Sequence, residues 1–233
     1  MQDVPILDWC RNYLGEVATR QLVEAYGETH RHYHTWSHIE SMWKHLGVIP
    51  ECAEHKDAIR LAVLFHDVVY STQPQTYGLN EVRSAQALRD AARVSSKFAL
   101  EEVELAAAII EATKTHRLDT SVWDGQSQPA IQAAHWVLDA DMAVLAASDD
   151  ELEKYDTDIA REWGYRESNR EHALLFAKGR IQALLGMMMQ WPVFHSNEFT
   201  HLEKPAVRNI ERLVLKWKQV QTDLEHRSLC EKP

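Results

Sequence analysis

Residues 58–70 have the sequence AIRLAVLFHDVVY, a nearly continuous apolar run that is interrupted by His66 and Asp67. Apolar runs of this kind predict a buried helix, here one that ends at the His-Asp pair. A charged carboxylate in such surroundings is costly unless it is paired or bound to a metal. The stretch therefore predicts both a helical core and a polar site that is built into it.

The rest of the chain has the same helical pattern. Apolar residues recur at every third and fourth position, and glycine and proline are sparse. Further signals are a stripe that stops at Gly47, a helix start at Asn80, a buried helix over 103–113, two capping boxes (Ser148 with Glu151, Ser168 with Glu171) and a last helix after Pro205. No repeat, low-complexity tract or linker divides the sequence. We predict an all-α fold, with a single helical domain over residues 1–233.

Composition excludes several classes of protein. The 25 basic residues are dispersed among 35 acidic ones, giving a net charge of −10, so long nucleic acid is not an expected partner. The three cysteines are scattered and form no C-x-x-C pair, which argues against a disulfide framework and a thiolate zinc site. Neither a signal peptide nor an 18-residue apolar run is present, so we expect a soluble, cytoplasmic protein that does not associate with membranes.

Two further polar positions accompany the His-Asp pair. His34 and His38 belong to a tract of five histidines and are four residues apart, so on a helix they share a face. Asp141 lies in a predicted helix and projects from the apolar face of that helix, whereas the neighbours of Asp139 do not decide which face it occupies. A lone histidine or aspartate in such a setting is more often a hydrogen-bonded core residue. Together, however, two imidazoles and two carboxylates suit Mn²⁺, Fe²⁺, Zn²⁺ or Mg²⁺.

In their order along the chain, these residues resemble the H…HD…D signature of the HD superfamily. The similarity is greatest to the bacterial group of predicted metal-dependent HD phosphohydrolases. It extends over RHYH at 31–34 with His38, FHDVVY at 65–70, NE with SA at 80–85, ATKTH at 112–116, DAD at 139–141, GR at 179–180 and AVRN at 206–209. The resemblance implies an HD-type helical bundle that binds a divalent metal (Mn, Fe, Ni, Co, Zn or Mg) through His38, His66, Asp67 and Asp141.

Two of these segments are also similar to the more distant cyclic-nucleotide phosphodiesterases, namely the Tyr-His-x-x-x-His and Ala-Thr-Lys-Thr-His blocks. That similarity implies that His34 is a general acid and that His38 is a ligand. His116 competes for the role of acid, and could instead support a ligand or bind a second metal. The later segments depart from the phosphodiesterases, so a cyclic substrate does not follow.

The resemblance implies a metal-dependent hydrolase of a small phosphate ester, mono- or diester and including nucleotides, with a metal-bound water as nucleophile. Glu81 is either a carboxylate near that water or an ordinary first-turn glutamate favoured by the helix dipole. The candidates for binding the substrate phosphate are Arg31, Lys114, Arg161 and Arg180, of which the resemblance favours Arg31 and Arg180. The alternatives are a non-catalytic module that binds metal or nucleotide, and an iron-dependent oxygenase.

Overall fold

The computed structural model describes residues 5–50, 52–189 and 191–230, with side chains through residue 226. The structure is 73% helical, and the described residues contain eleven α-helices and no strand, which confirms the all-α prediction. None of the helices in these ranges is both long enough and apolar enough to cross a membrane. The chain divides into two compact units, Met1–Asp141 and Met142–Pro233. The single domain over 1–233 stays a prediction.

The first unit is built around one helix whose second half is apolar on all sides. Its helices are α1 (Ile6–Tyr13), α2 (Glu16–Tyr26), α3 (Trp36–His45), α4 (Lys56–Phe65), α5 (Asn80–Ser95), α6 (Leu100–Ala112), α7 (Thr120–Trp123) and α8 (Gln128–Met142), with 3-10 turns at Leu46–Val48 and Tyr77–Leu79. Helix α4 packs against α3, α5 and α6. Its side chains from 61 to 64 are fully buried, as expected for a central core helix.

The second unit is a smaller helical assembly. It contains α9 (Asp149–Glu162), α10 (Arg170–Met188) and α11 (Glu203–Cys230), with 3-10 turns at Ala143–Ala146 and Asn197–Leu202. Helices α10 and α11 pack along each other. Tyr165, Phe176 and Trp217 form an aromatic cluster whose ring centroids are 5.1–5.4 Å apart. Aromatic groups in this arrangement supply much of the buried apolar surface of a small core.

Several helix boundaries follow the sequence signals. Helix α5 begins at Asn80, and α6 is buried, as predicted. The capping box of Ser148 and Glu151 is present at the start of α9. The last helix begins at Glu203 rather than after Pro205, which occupies the first turn, where a missing N–H costs no intrahelical bond.

The second predicted capping box, that of Ser168 and Glu171, is wrong. Asn169 caps α10 instead, because its side-chain oxygen accepts a hydrogen bond from the backbone N–H of His172 at 3.2 Å. Asn and Ser cap helices about equally well, so the two adjacent residues compete for this position. The structure resolves that competition in favour of the later residue.

Candidate metal centre

Three helices of the first unit bring four polar side chains together. His38 lies on α3, His66 and Asp67 follow the last residue of α4, and Asp141 lies in the last turn of α8. The Nε2 atom of His66 is 3.3 Å from Nε2 of His38 and 2.9 Å from Oδ2 of Asp67. Oδ1 of Asp141 is 3.0 Å from Nε2 of His38 and 3.9 Å from Nε2 of His66. One nitrogen or oxygen from each of His38, His66 and Asp67 lies within 4.8 Å of the others.

A backbone carbonyl fixes the tautomer of His66. Nδ1 of His66 lies 3.0 Å from the carbonyl oxygen of Val63, and because a carbonyl only accepts, Nδ1 carries the proton and donates it. When the ring is neutral, its Nε2 atom therefore has no proton and can bind a metal. Metal-binding histidines commonly have this arrangement. Two imidazole nitrogens facing each other beside two carboxylates therefore form a donor set that fits a divalent transition metal.

Charge is strongly coupled within the cluster. Burial lowers the pKa of His38 despite its hydrogen bond to Asp141. Burial also disfavours a charge on His66, but Asp67 and Asp141 outweigh that effect and raise its pKa to about 9. The pKa values of Asp67 and Asp141 lie below the usual range, because the neighbouring imidazoles more than offset burial. Both carboxylates therefore favour the ionised form, and the imidazole of His66 favours the protonated form.

The cluster is open to solvent on its carboxylate side. The side chains of His38 and His66 are only 3% and 1% exposed. By contrast, those of Asp67 and Asp141 are 16% and 14% exposed. The two carboxylates are therefore the part of the cluster that solvent contacts most.

His34 lies on this open side, but not on the helix that carries His38. Helix α3 begins at Trp36, with Thr35 as its N-cap residue, so the premise of an i, i+4 pair on one helix is wrong. The rings still lie close together, with centroids 6.1 Å apart. Nε2 of His34 is 3.8 Å from Oδ2 of Asp67, and the ring stacks on Tyr70 at 4.3 Å. The turn before the helix thus places the imidazole beside Asp67.

His116 lies next to the other carboxylate. Its Nε2 is 3.0 Å from Oδ2 of Asp141, so His38 and His116 each contact one oxygen of that side chain. The backbone of His116 has a φ of 53°, in the left-handed region, which costs about 1–2 kcal/mol for a residue with a Cβ. Strain of this size persists where surrounding contacts stabilise it, and the contact with Asp141 is one such interaction.

Glu81 lies in the first turn of α5, and its Oε2 atom is buried without a hydrogen-bond partner. Burial raises the pKa of Glu81, and the charge of Asp67 adds to this, whereas Lys114 and His116 act in the opposite direction. The carboxyl group is therefore within electrostatic reach of the cluster. Its environment differs from that of an ordinary solvated first-turn glutamate.

The four predicted phosphate-binding cations have different environments. Arg31 is buried and donates to Glu28 and to backbone carbonyls. Lys114 is exposed, and its Nζ donates to the carbonyl of Gly78 at 2.8 Å. Arg180 belongs to the second unit, where its Nε donates to Asp156 at 3.1 Å. Arg161 also belongs to the second unit, and its Nη1 lies 3.4 Å from Oδ1 of Asp158. The charge of Lys114 acts on Glu81, and the phosphate-binding roles of all four cations stay predictions.

Sequence reasoning did not identify the groups that orient the predicted site residues. The carbonyl of Val63 orients His66, and the rings of Tyr33 and Tyr70 contact His34. The sequence could have indicated the role of Val63, because the last carbonyls of a helix lack an intrahelical partner and Val63 lies three residues before His66, the C-cap residue of α4. The ring contacts depend on the turn at 30–35 and have no local sequence signal.

Comparison with protein-family models, curated proteins and solved structures finds no match for this chain. The resemblance to the HD superfamily therefore stays a prediction that rests on the ordered motif.

Proposed function

We propose that this chain is a metal-dependent phosphohydrolase that acts on a small phosphate ester, with the metal held by His38, His66, Asp67 and Asp141. The observation that carries the proposal is the convergence of these side chains from three helices, with the ring of His66 oriented by Val63. A mixed imidazole and carboxylate donor set suits a hydrolytic divalent metal. The phosphoester part of the proposal is supported by the ordered H…HD…D motif.

A divalent ion bound there would lower the pKa of a coordinated water and neutralise a phosphoryl oxygen. The protein groups supply the proton transfers. His34 lies beside Asp67 on the open side, with its side chain 19% exposed, and is proposed to protonate the leaving oxygen. His116 is the competing acid.

The charge of the chain supports a small substrate. Lys114 is exposed, and an ammonium has three donors, so its bond to Gly78 leaves capacity for a phosphate oxygen. With a net charge of −10 the protein repels an extended polyanion, whereas one phosphate needs only the metal and a well-placed cation.

Metal reconstitution followed by an activity screen tests the proposal. The purified chain is loaded with Mn, Fe, Co, Ni, Zn or Mg, analysed by mass spectrometry for metal content, and assayed for phosphate release from nucleotides and p-nitrophenyl mono- and diesters. We expect about one metal per chain and metal-dependent turnover. His66→Ala abolishes both, whereas His172→Ala, which alters an exposed histidine of the second unit, leaves both unchanged.

Three outcomes contradict the proposal. A wild-type chain that binds none of these metals removes its basis. Turnover that consumes oxygen favours the oxygenase. Tight nucleotide binding by the metal-loaded chain, without hydrolysis of any ester, favours the non-catalytic module.

A further inference from the structure

Arg31 has an unusual position for a candidate phosphate ligand, because its side chain is 0% exposed. Burying a guanidinium costs several kcal/mol unless its N–H groups find acceptors. Nε donates to Oε2 of Glu28 at 2.9 Å. The other hydrogen bonds of the guanidinium go to backbone carbonyls, so the protein itself supplies the acceptors that a phosphate would otherwise provide.

Those carbonyls belong to the two segments that form the candidate metal centre. Nη1 donates to the carbonyl of Asp67 at 2.6 Å and to that of His34 at 3.3 Å, and Nη2 donates to the carbonyl of Val68 at 3.1 Å. Buried carbonyls beyond a helix end need donors from elsewhere in the protein. One side chain therefore fixes the backbone of a proposed metal ligand, Asp67, and of the proposed acid, His34.

Aromatic rings hold the guanidinium in this position. The Cζ atom of Arg31 is 5.2 Å from the ring centroid of Tyr26 and 5.3 Å from that of Tyr70. The hydroxyl of Tyr26 donates to the carbonyl of Leu64, in the last turn of α4, at 3.0 Å. The ring of Tyr70 in turn stacks on His34. Arg31, Tyr26 and Tyr70 thus connect the end of α4 with the turn before α3.

Resting on the proposed function, we propose that Arg31 is a positioning residue of the metal centre and does not bind the substrate phosphate. It holds the backbone at Asp67 so that the carboxylate reaches the Nε2 atom of His66 at 2.9 Å. A lysine cannot replace it, because an ammonium lacks the planar fork that contacts several carbonyls at once. Losing a group that orients a metal ligand typically weakens metal binding by roughly 10–100-fold.

Cobalt binding by the full chain tests this role in the absence of substrate. Arg31→Lys is compared with Arg93→Lys, which alters an exposed arginine of the same unit. For the fraction shown to be folded by circular dichroism, we expect a roughly 10–100-fold loss of Co²⁺ affinity and a changed visible spectrum in Arg31→Lys alone. A general loss of stability does not alter the cobalt spectrum of the folded fraction.

A second pair of variants covers the case in which Arg31→Lys does not fold. Glu28→Ala removes the exposed partner of Arg31, and Glu24→Ala is its control on α2. We expect Glu28→Ala to lose Co²⁺ affinity in the same direction, by less than Arg31→Lys, and Glu24→Ala to be unchanged. If Glu28→Ala and Glu24→Ala bind Co²⁺ with the same affinity, the proposal is overturned.

Inorganic phosphate distinguishes the two roles of Arg31. Weaker phosphate binding by Arg31→Lys with unchanged Co²⁺ affinity and spectrum overturns the positioning role and makes Arg31 a phosphate ligand. A wild-type chain that binds no Co²⁺ or other divalent metal contradicts the proposed function itself. These outcomes distinguish a wrong role for Arg31 from a wrong assignment of the metal centre.

Discussion

The two units each contain a largely buried carboxylate cluster, but the partners of the carboxylates differ. In the second unit, Asp156 is 0% exposed and accepts from Nε of Arg180 at 3.1 Å and from Nζ of Lys216 at 3.0 Å. The indole N–H of Trp217 lies 3.0 Å from both of its oxygens. In the first unit, Asp67 and Asp141 have imidazoles as ion-pair partners.

This difference separates a structural ion pair from a candidate site. Arginine and lysine carry their charge throughout the pH range in which proteins fold, so the cluster at Asp156 is neutralised without any ligand. An imidazole is charged only when protonated, and its neutral form is a metal ligand. The cluster at Asp67 and Asp141 can therefore exchange a proton for a metal ion. The identity of the partner, more than burial of an acid, indicates function.

The largest expected effect comes from neutralising one carboxylate in each cluster. Asp67→Asn abolishes metal uptake with little loss of stability, because the imidazoles that remain can become neutral. Asp156→Asn keeps normal metal uptake but lowers the free energy of unfolding by about 3–5 kcal/mol, since the buried Arg180 is left without a counter-charge, whereas Lys216 keeps its ion pair with Glu153 at 2.6 Å. Metal analysis and urea denaturation of both variants measure these effects. The comparison fails if Asp156→Asn folds normally yet loses its metal.

A second pair of variants tests the assignment within α8. Asp141→Asn should weaken metal binding by more than the roughly 10–100-fold that loss of an orienting group costs, because a proposed ligand itself is altered. Asp139→Asn should keep its metal, although Asp139 is also buried. Competition with a chelator measures both affinities. The reverse order would move the distal ligand to Asp139.

The third prediction concerns His34. His34→Ala should reduce turnover by about 10²–10⁴-fold, the usual contribution of a general acid, while metal content stays normal. The loss should shrink for p-nitrophenyl esters, whose leaving group needs little protonation. His116→Ala is the control, since its imidazole contacts the other carboxylate. An equal loss there, with the same dependence on the leaving group, would assign the acid role to His116.

The features that the sequence predicted are those set by nearest neighbours along a helix. The start of α5 at Asn80 and the capping box at Ser148 depend on residues within one turn. These positions need no knowledge of the tertiary fold. The carboxylate of Asp141 lies beside His38, although Asp139 is the more deeply buried of the two, and the choice of Asp141 as the ligand stays a prediction.

The features that the sequence did not predict depend on distant backbone. His34 reaches the cluster from a turn, and spacing alone could not distinguish that turn from a longer helix. The acceptors of Arg31 are carbonyls as many as 37 residues further along the chain, and every residue has a carbonyl, so no residue type marks them. Resemblance suggested a phosphate ligand, whereas the contacts indicate a positioning role.

The smallest effect concerns Glu81, for which burial outweighs the favourable charges of Lys114 and His116. Its Oε2 atom is buried without a hydrogen bond, and burial raises its pKa, so the ionised side chain destabilises the fold at neutral pH. Glu81→Gln should therefore raise the free energy of unfolding by on the order of 1 kcal/mol, because a neutral orphan costs less than a charged one. The gain should vanish as the pH falls below about 4.3, where a glutamate is protonated in both the folded and the unfolded chain.

Glu101 is the matched control for this prediction, because it occupies the same second position of α6 but is exposed. An exposed first-turn glutamate is favoured by the helix dipole, so Glu101→Gln should lower stability by about 0.3–1 kcal/mol. Opposite signs for the two variants in thermal denaturation, together with reduced turnover in Glu81→Gln, indicate that Glu81 is kept at a cost to stability for its role at the site. If Glu81→Gln is destabilising like Glu101→Gln and retains turnover, Glu81 is an ordinary helix-start residue. Asp67 and Asp141 are then the only two of the three proposed carboxylates that belong to the site.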